Sequence, residues 1–216
     1  MSAAASAILA FMEKELINSE AGLRALYAPP IERARLKVLS RLDTHCRKFI
    51  DLSPFVCLAT CGPRGADVTP RGDEPGFVHV PADTMLAIPD WRGNNRLDSL
   101  SNIVANPEVA LLFFIPGVQE TLRVNGTCEI STSSELLSRW ERNGNRPKTA
   151  LVITVREAFL HCGKALIRSR LWQEDYKIER AALPSYGQML KDQTEVTDSV
   201  EQIQASVEHG YANNLY

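Results

Sequence analysis

The sequence predicts a mainly β domain (β plus α), an antiparallel barrel with helices ahead of it and around it. Between Phe55 and Cys162, short apolar runs of β character recur at regular spacing, separated by turn residues. Only single helical segments intervene between those runs, the pattern of an antiparallel barrel. Val109 to Ile115 is a continuous apolar run, long enough for a strand buried on both faces.

The first fifty residues read as helices. Ile8, Leu9, Met12, Leu16 and Ile17 mark one amphipathic face, and Ser19 is placed to cap a second short helix through Leu23 and Leu26. Pro29 and Pro30 interrupt, and Pro30 suits the first turn of a third helix. That helix carries Ile31, Leu39, Leu42, Cys46, Phe49 and Ile50 towards a core and stops near Asp51–Pro54. Phe55 to Thr60 and Ala66 to Pro70 form a hairpin around Gly62-Pro63-Arg64-Gly65. Phe77 to Val80 and Thr84 to Ile88 form another around Pro81-Ala82-Asp83. Thr121 to Ile130 alternates in part, but Asn125-Gly126 inside it suggests either a turn or a sharp bend with a bulge. Ser133 to Arg142 reads as a helix capped at Ser133 or Ser134, and Ala150–Val155 and Ala158–Cys162 as the last two strands. The organisation expected is a helical extension over 1–53 packed on the barrel, the barrel over 54–172, and a polar, helical tail over 173–216.

Composition narrows the function. A formal net charge of -2 over 216 residues gives no sign of a nucleic-acid-binding surface. No apolar run approaches the roughly 20 residues that span a bilayer, and the first residues lack a signal peptide's n- and h-regions. A cytoplasmic protein is expected. The five cysteines (Cys46, Cys57, Cys61, Cys128, Cys162) lack paired spacing and read as reduced, mostly buried thiols. Cys57 and Cys61 are too far apart for a CxxC pattern and His161-Cys162 is a single pair, so no metal site is expected.

The stretch from Ala87 to Pro107 carries the chemistry. It leaves an apolar strand, crosses a loop of small polar and cationic groups, and enters a helix with Leu97, Leu100, Ile103 and Val104 on one face. Pro107 ends that helix. A polar loop with spare N–H donors leading into a helix N-terminus is an arrangement that holds a phosphate. Arg92 and Arg96 supply charge, and Asn94, Asn95 and Ser99 neutral donors. The competing reading is a solvated connection.

Four blocks, PFVCLATCGPRGADVTPRGDEPGFV, IPDWRGNNRLDSLSNIVANP, LFFIPGVQETLRVNG and HCGKALIRSRLW, resemble the pyridoxamine 5'-phosphate oxidase-like flavoproteins. Within these they are similar to the branch of probable FMN-dependent enzymes, over roughly Ile31 to Trp172. The resemblance implies a split β-barrel that forms a homodimer and binds FMN in clefts to which both chains contribute. It also favours one long bent strand at Asn125-Gly126 over a hairpin. By the same resemblance, Arg71 occupies the place of a phosphate-binding strand arginine. Arg92, Asn94, Asn95, Arg96 and Ser99 belong to the block that makes the other phosphate contacts. Arg71 and Arg96 are the preferred charge pair, although the better-known oxidases carry an Arg-Lys pair where this sequence has Asp98-Ser99. Pro89 and Asp90 fall where the backbone passes the flavin edge. Thr121 stands where the oxidases use a glutamine, and Lys164, Arg168 and Trp172 are candidates from the last block. A cation near the pyrimidine edge would stabilise the anionic reduced ring, and Trp172 could cover a ring face.

Plainer roles compete: Arg123 and Arg139 as surface residues, His161 as a satisfied strand-end histidine, Trp91 and Trp140 as core or interface residues, Lys164 and Arg168 as a solvated helix face. Two function classes follow. One is an FMN-dependent oxidoreductase moving a hydride between flavin and a small-molecule substrate. The other is a non-catalytic protein of the same fold that binds or stores flavin, deazaflavin or haem. Pyridoxamine-phosphate oxidation itself is not expected, because the C-terminal segment bears no resemblance to that enzyme's substrate-binding end.

Overall fold

A computed structural model describes residues 16–216, and of the first amphipathic face Ile8, Leu9 and Met12 lie outside the described residues. The chain divides into two compact units, 1–37 and 38–216. The first holds α1 (Glu20–Leu26), capped by Ser19 as expected, and α2 (Glu32–Leu36), whose cap is Ile31, so Pro30 lies before the helix and not in its first turn.

In the second unit, α3 (Thr44–Leu52) is followed by strands β1 (Phe55–Gly62), β2 (Gly65–Gly72), β3 (His79–Ala82) and β4 (Met85–Asp90). Then come α4 (Asp98–Ala105), β5 (Glu108–Phe114), β6 (Thr121–Ser131), α5 (Ser134–Leu137), β7 (Thr149–His161) and α6 (Lys164–Ser169). The tail supplies α7 (Tyr186–Gln193) and α8 (Val200–Asn213). No helix among the described residues is long and apolar enough to cross a membrane.

The helix expected from Ile31 to Ile50 is broken. Between its halves, Leu39 pairs with Ala158 as an isolated bridge and the Leu42 N–H donates to the Asp83 carbonyl. Tertiary pairing therefore overrides helical periodicity there, and Asp43 starts α3 afresh by accepting the Cys46 N–H at 2.8 Å. That bond holds the Asp43 carboxyl below the usual aspartate range. Asp43→Ala should cost about 1 kcal/mol in urea unfolding at neutral pH. Because the folded pKa is depressed, the contribution is full above the ordinary value and disappears as pH falls through the lowered one. The variant and the parent should therefore converge in acid.

The seven strands form one antiparallel sheet in the order β2-β1-β5-β6-β7-β4-β3. Val56, Leu58, Leu111, Phe113, Leu122, Val124, Leu86, Ile88 and Ile153 line one face, and the sheet folds around them with Leu42, Ile50 and Ile103 from the helices. Phe77 and Val78 are buried in this core but precede β3 and lie outside the strand. The two strands expected over 150–162 are one, β7, and Ser133–Arg142 is helical only to Leu137 before a 3-10 turn. Asn125-Gly126 lies inside a continuous β6. Asn125 pairs with Glu157 and Gly126 with Val155, so Arg156 is the bulged residue. A β-carbon at Gly126 would lie 2.0 Å from the Thr154 carbonyl oxygen, which is why glycine stands at this bend.

Of the cysteines, only Cys46 and Cys128 are buried; Cys57 is half-buried and Cys61 and Cys162 are exposed. Burial pushes the Cys46 thiol up to about 11 and Cys128 up to about 12, so both are inert thiols at neutral pH.

Candidate functional site

β2 is first in the strand order and β4 sixth, yet Arg71 at the end of β2 meets Asp90 at the end of β4, Nη2 to Oδ1 3.4 Å. The sheet must therefore curl until these two strands face each other across a seam that no strand ladder closes. The chain itself spans the seam. The loop 91–97 leaves β4, and α4 then packs back on β1 and β2. Asn102 of α4 donates to the Thr60 hydroxyl at 3.0 Å, and the glycine at Gly62 lets the helix approach closely.

A cleft of about 420 Å³ lies on this seam, lined by Thr69, Pro70 and Arg71 of β2, by Asp90 to Leu97, by Asp98, Ser99 and Leu100 of α4, and by Lys148. Arg71, Asp90, Arg92, Asn94, Asn95, Arg96 and Ser99, gathered from two blocks of sequence, thus meet in one place. Four cations (Arg71, Arg92, Arg96, Lys148) face two carboxylates (Asp90, Asp98). The Arg71 side chain is 23% exposed, and its Nε–H is buried without a partner although the head group reaches Asp90 and the Pro70 carbonyl. Burial raises the Asp90 carboxyl above the usual aspartate range, with the Arg71 charge acting the other way. The Ser99 hydroxyl is buried and shares one hydrogen bond, 3.1 Å, with Thr69.

Arg96 is placed differently from Arg71. Its side chain is 70% exposed and its Nε donates to Asp98 Oδ2 at 2.7 Å, with Arg64 on the other carboxylate oxygen. The Arg96 and Arg64 bonds hold the Asp98 carboxyl below its ordinary range. The loop adopts left-handed backbone at two non-glycine residues, Asn95 (φ 59°) and Leu97 (φ 57°), each costing about 1 kcal/mol. Leu97 offers no side-chain oxygen, so no side-chain cap satisfies the first-turn N–H groups of α4. The apolar face expected of this helix is displaced: Leu97 and Val104 are exposed, and Ser99, Asn102 and Ile103 are buried.

The remaining candidates lie elsewhere in the chain. Pro89 is buried within β4, paired with Ala150. Thr121 lines a separate cavity of about 460 Å³ with Cys57, Ala110, Leu112, Arg123 and His161. Lys164 and Arg168 are exposed on α6, and the Trp172 indole donates to the Val118 carbonyl at 2.9 Å. Lys148 and Trp91 were not among the expected lining residues. Lys148 reaches the cleft because the neighbouring Thr149 pairs with Asp90, a cross-strand register invisible along the chain.

A family model described as pyridoxamine 5'-phosphate oxidase matches residues 42–162, more than half of the chain. The chain belongs to the pyridoxamine 5'-phosphate oxidase-like family of FMN-binding split barrels. Several solved structures are similar to it. A HupZ variant from Group A Streptococcus is 18% identical, over 56% of this chain and 99% of its own, with a TM-score of 0.47. General stress protein 26 from Bacillus anthracis is 16% identical, over 53% of this chain and 88% of its own, with a TM-score of 0.41. An FMN-binding protein from Syntrophomonas wolfei is 11% identical, over 53% and 86%, with a TM-score of 0.39. No curated protein matches the sequence significantly. In this split barrel the seam cleft brings Arg71, Arg92, Arg96 and Lys148 together with Asp90 and Asp98.

Proposed function

We propose that this chain is an FMN-binding flavoprotein acting as an oxidoreductase on a small molecule, with the FMN phosphate held in the seam cleft. The observation that carries this reading is Arg71: a half-buried cation with an unpartnered Nε–H, in a cleft where cations outnumber carboxylates four to two. A phosphate monoester brings a charge of about -1.5 to -2 at neutral pH, which matches that excess. Arg71 and the Ser99 hydroxyl are the buried donors for it, and Arg92, Arg96 and Lys148 surround them as exposed cations. Bound FMN would supply hydride transfer at its N5 position, so the protein's part is to bind and orient.

The second element of the proposal is a homodimer. Strand β5 is apolar on both faces, but only Val109, Leu111 and Phe113 are buried, while Ala110, Leu112 and Phe114 on the other face are half-exposed. Cys57 and Ala59 continue that face on β1, and together they wall the cavity that holds Thr121. A second copy of the chain would bury this surface. Thr121, Lys164, Arg168 and Trp172, which do not line their own chain's cleft, would then be the residues contributed from the partner side.

The test uses the full chain loaded with FMN. Sedimentation should give a dimer, and anaerobic addition of NADH or NADPH should bleach the visible flavin band. A band that persists with both nucleotides and with a panel of other reductants would favour the binding or storage role. A monomer that still binds FMN tightly would refute the shared cleft.

A further inference from the structure

Asp73 follows β2 on one lip of the seam, and its side chain is only 2% exposed. Four donors surround its carboxylate. The Glu74 N–H (2.7 Å), the Tyr216 hydroxyl (2.9 Å) and Arg142 Nη2 (3.3 Å) reach Oδ1, and the Trp91 indole N–H (3.2 Å) reaches Oδ2. A buried carboxylate needs such partners, because an unpaired one carries a heavy desolvation cost. Trp91 belongs to the opposite lip. It follows β4, its ring packs against the Ala87–Leu137–Trp140–Ala150 cluster, and it lines the cleft. Tyr216 therefore bridges both lips. Its hydroxyl holds Asp73, and its ring meets the Trp91 ring edge-on, centroids 5.0 Å apart at 77°. The Arg142 guanidinium lies 5.0 Å from the centroid of the Tyr216 ring.

Tyr216 lies three residues beyond Asn213, the last residue of α8. α8 packs on α7, where Gly187 permits close approach to Val200 and Gln204 and its N–H donates to Gln204 at 2.8 Å. The tail is thus a folded helical pair whose Tyr216 reaches Asp73 and the cleft-lining Trp91.

We propose that Tyr216 is a positioning residue for the seam cleft: it straps the tail across both lips, sets the Trp91 ring through Asp73, and couples tail docking to cleft occupancy. This rests on the reading of the cleft as the FMN site. Coupling is reciprocal, so a docked tail tightens the ligand and a bound ligand protects the tail.

The experiment compares wild type, Tyr216→Phe and Tyr216→Ala, all full chains, by tryptophan emission, FMN titration and hydrogen exchange over 200–216. Tyr216→Ala should red-shift tryptophan emission, and the shift should vanish in a Trp91→Phe background. It should weaken FMN about tenfold and abolish FMN's slowing of exchange in the tail. Tyr216→Phe keeps the ring contact and should recover part of each loss, a rescue that would not follow if only the hydroxyl mattered. FMN affinity within twofold of wild type in Tyr216→Ala, together with unchanged emission, would overturn the proposal. If wild-type protein takes up no FMN, the cofactor reading falls and the strap is judged on the Trp91 emission alone: unchanged emission overturns it as well.

Discussion

Replacing Arg71 by alanine is expected to weaken FMN binding about a hundredfold, roughly 2–3 kcal/mol. Two effects add. The phosphate loses a half-buried, charge-assisted donor, and Asp90 loses the cation 3.4 Å away that offsets its burial. Asp90→Asn separates them. It removes a negative charge from beside the phosphate and frees Arg71, so FMN should bind several-fold more tightly, or at least no more weakly. Arg96→Ala should have a smaller effect than Arg71→Ala, because Arg96 is solvated and already engaged with Asp98. Equilibrium titration of the three variants by flavin fluorescence decides the ranking. An Arg71→Ala protein that binds FMN like wild type would remove the basis for the assignment.

Gly126→Ala is expected to be the most damaging single methyl addition in the barrel. The new β-carbon would lie 2.0 Å from the Thr154 carbonyl oxygen and 3.0 Å from its carbonyl carbon, backbone atoms that cannot rotate away. Relief requires the β6–β7 ladder to part at its bulge, where Asn125 Nδ2 also donates to Glu157 at 2.6 Å. A loss of about 3 kcal/mol follows from overpacking of this kind. For a chain of this size that lowers Tm by about 6–12 °C, measurable by calorimetry. Gly144→Ala is the control. Its φ of +78° makes alanine unfavourable, but no atom lies within contact distance, so the loss should be near 1 kcal/mol.

Much of this molecule could be read along the chain. The short apolar runs became strands, and Ser19 and Ser133 cap their helices as their chemistry suggests. Of the seven residues from Arg71 to Ser99 that share the cleft, Arg92, Asn94, Asn95, Arg96 and Ser99 are legible because their types suit a phosphate, whereas Arg71 and Asp90 are reached only through the family resemblance. What failed to show was set by partners distant in sequence. Leu39 gives up helix for a bridge to Ala158, and at Asn125-Gly126, where local rules leave a turn and a bulged bend both open, pairing with β7 makes it the bulge. Lys148 enters the cleft only through the Asp90–Thr149 register, and Tyr216 meets the cleft-lining Trp91 only through the return of the tail to Asp73. Local propensity is worth at most about 1 kcal/mol per residue, and burial or a strand ladder outweighs it.

The central claim is that the seam cleft grips a terminal phosphate, and titrating wild-type protein with FMN and with riboflavin tests it most directly. The two ligands share the ring and the ribityl chain and differ only in that group. FMN should bind at least about a hundredfold more tightly, in line with the loss expected for Arg71→Ala. Equal affinity for the two would contradict the account.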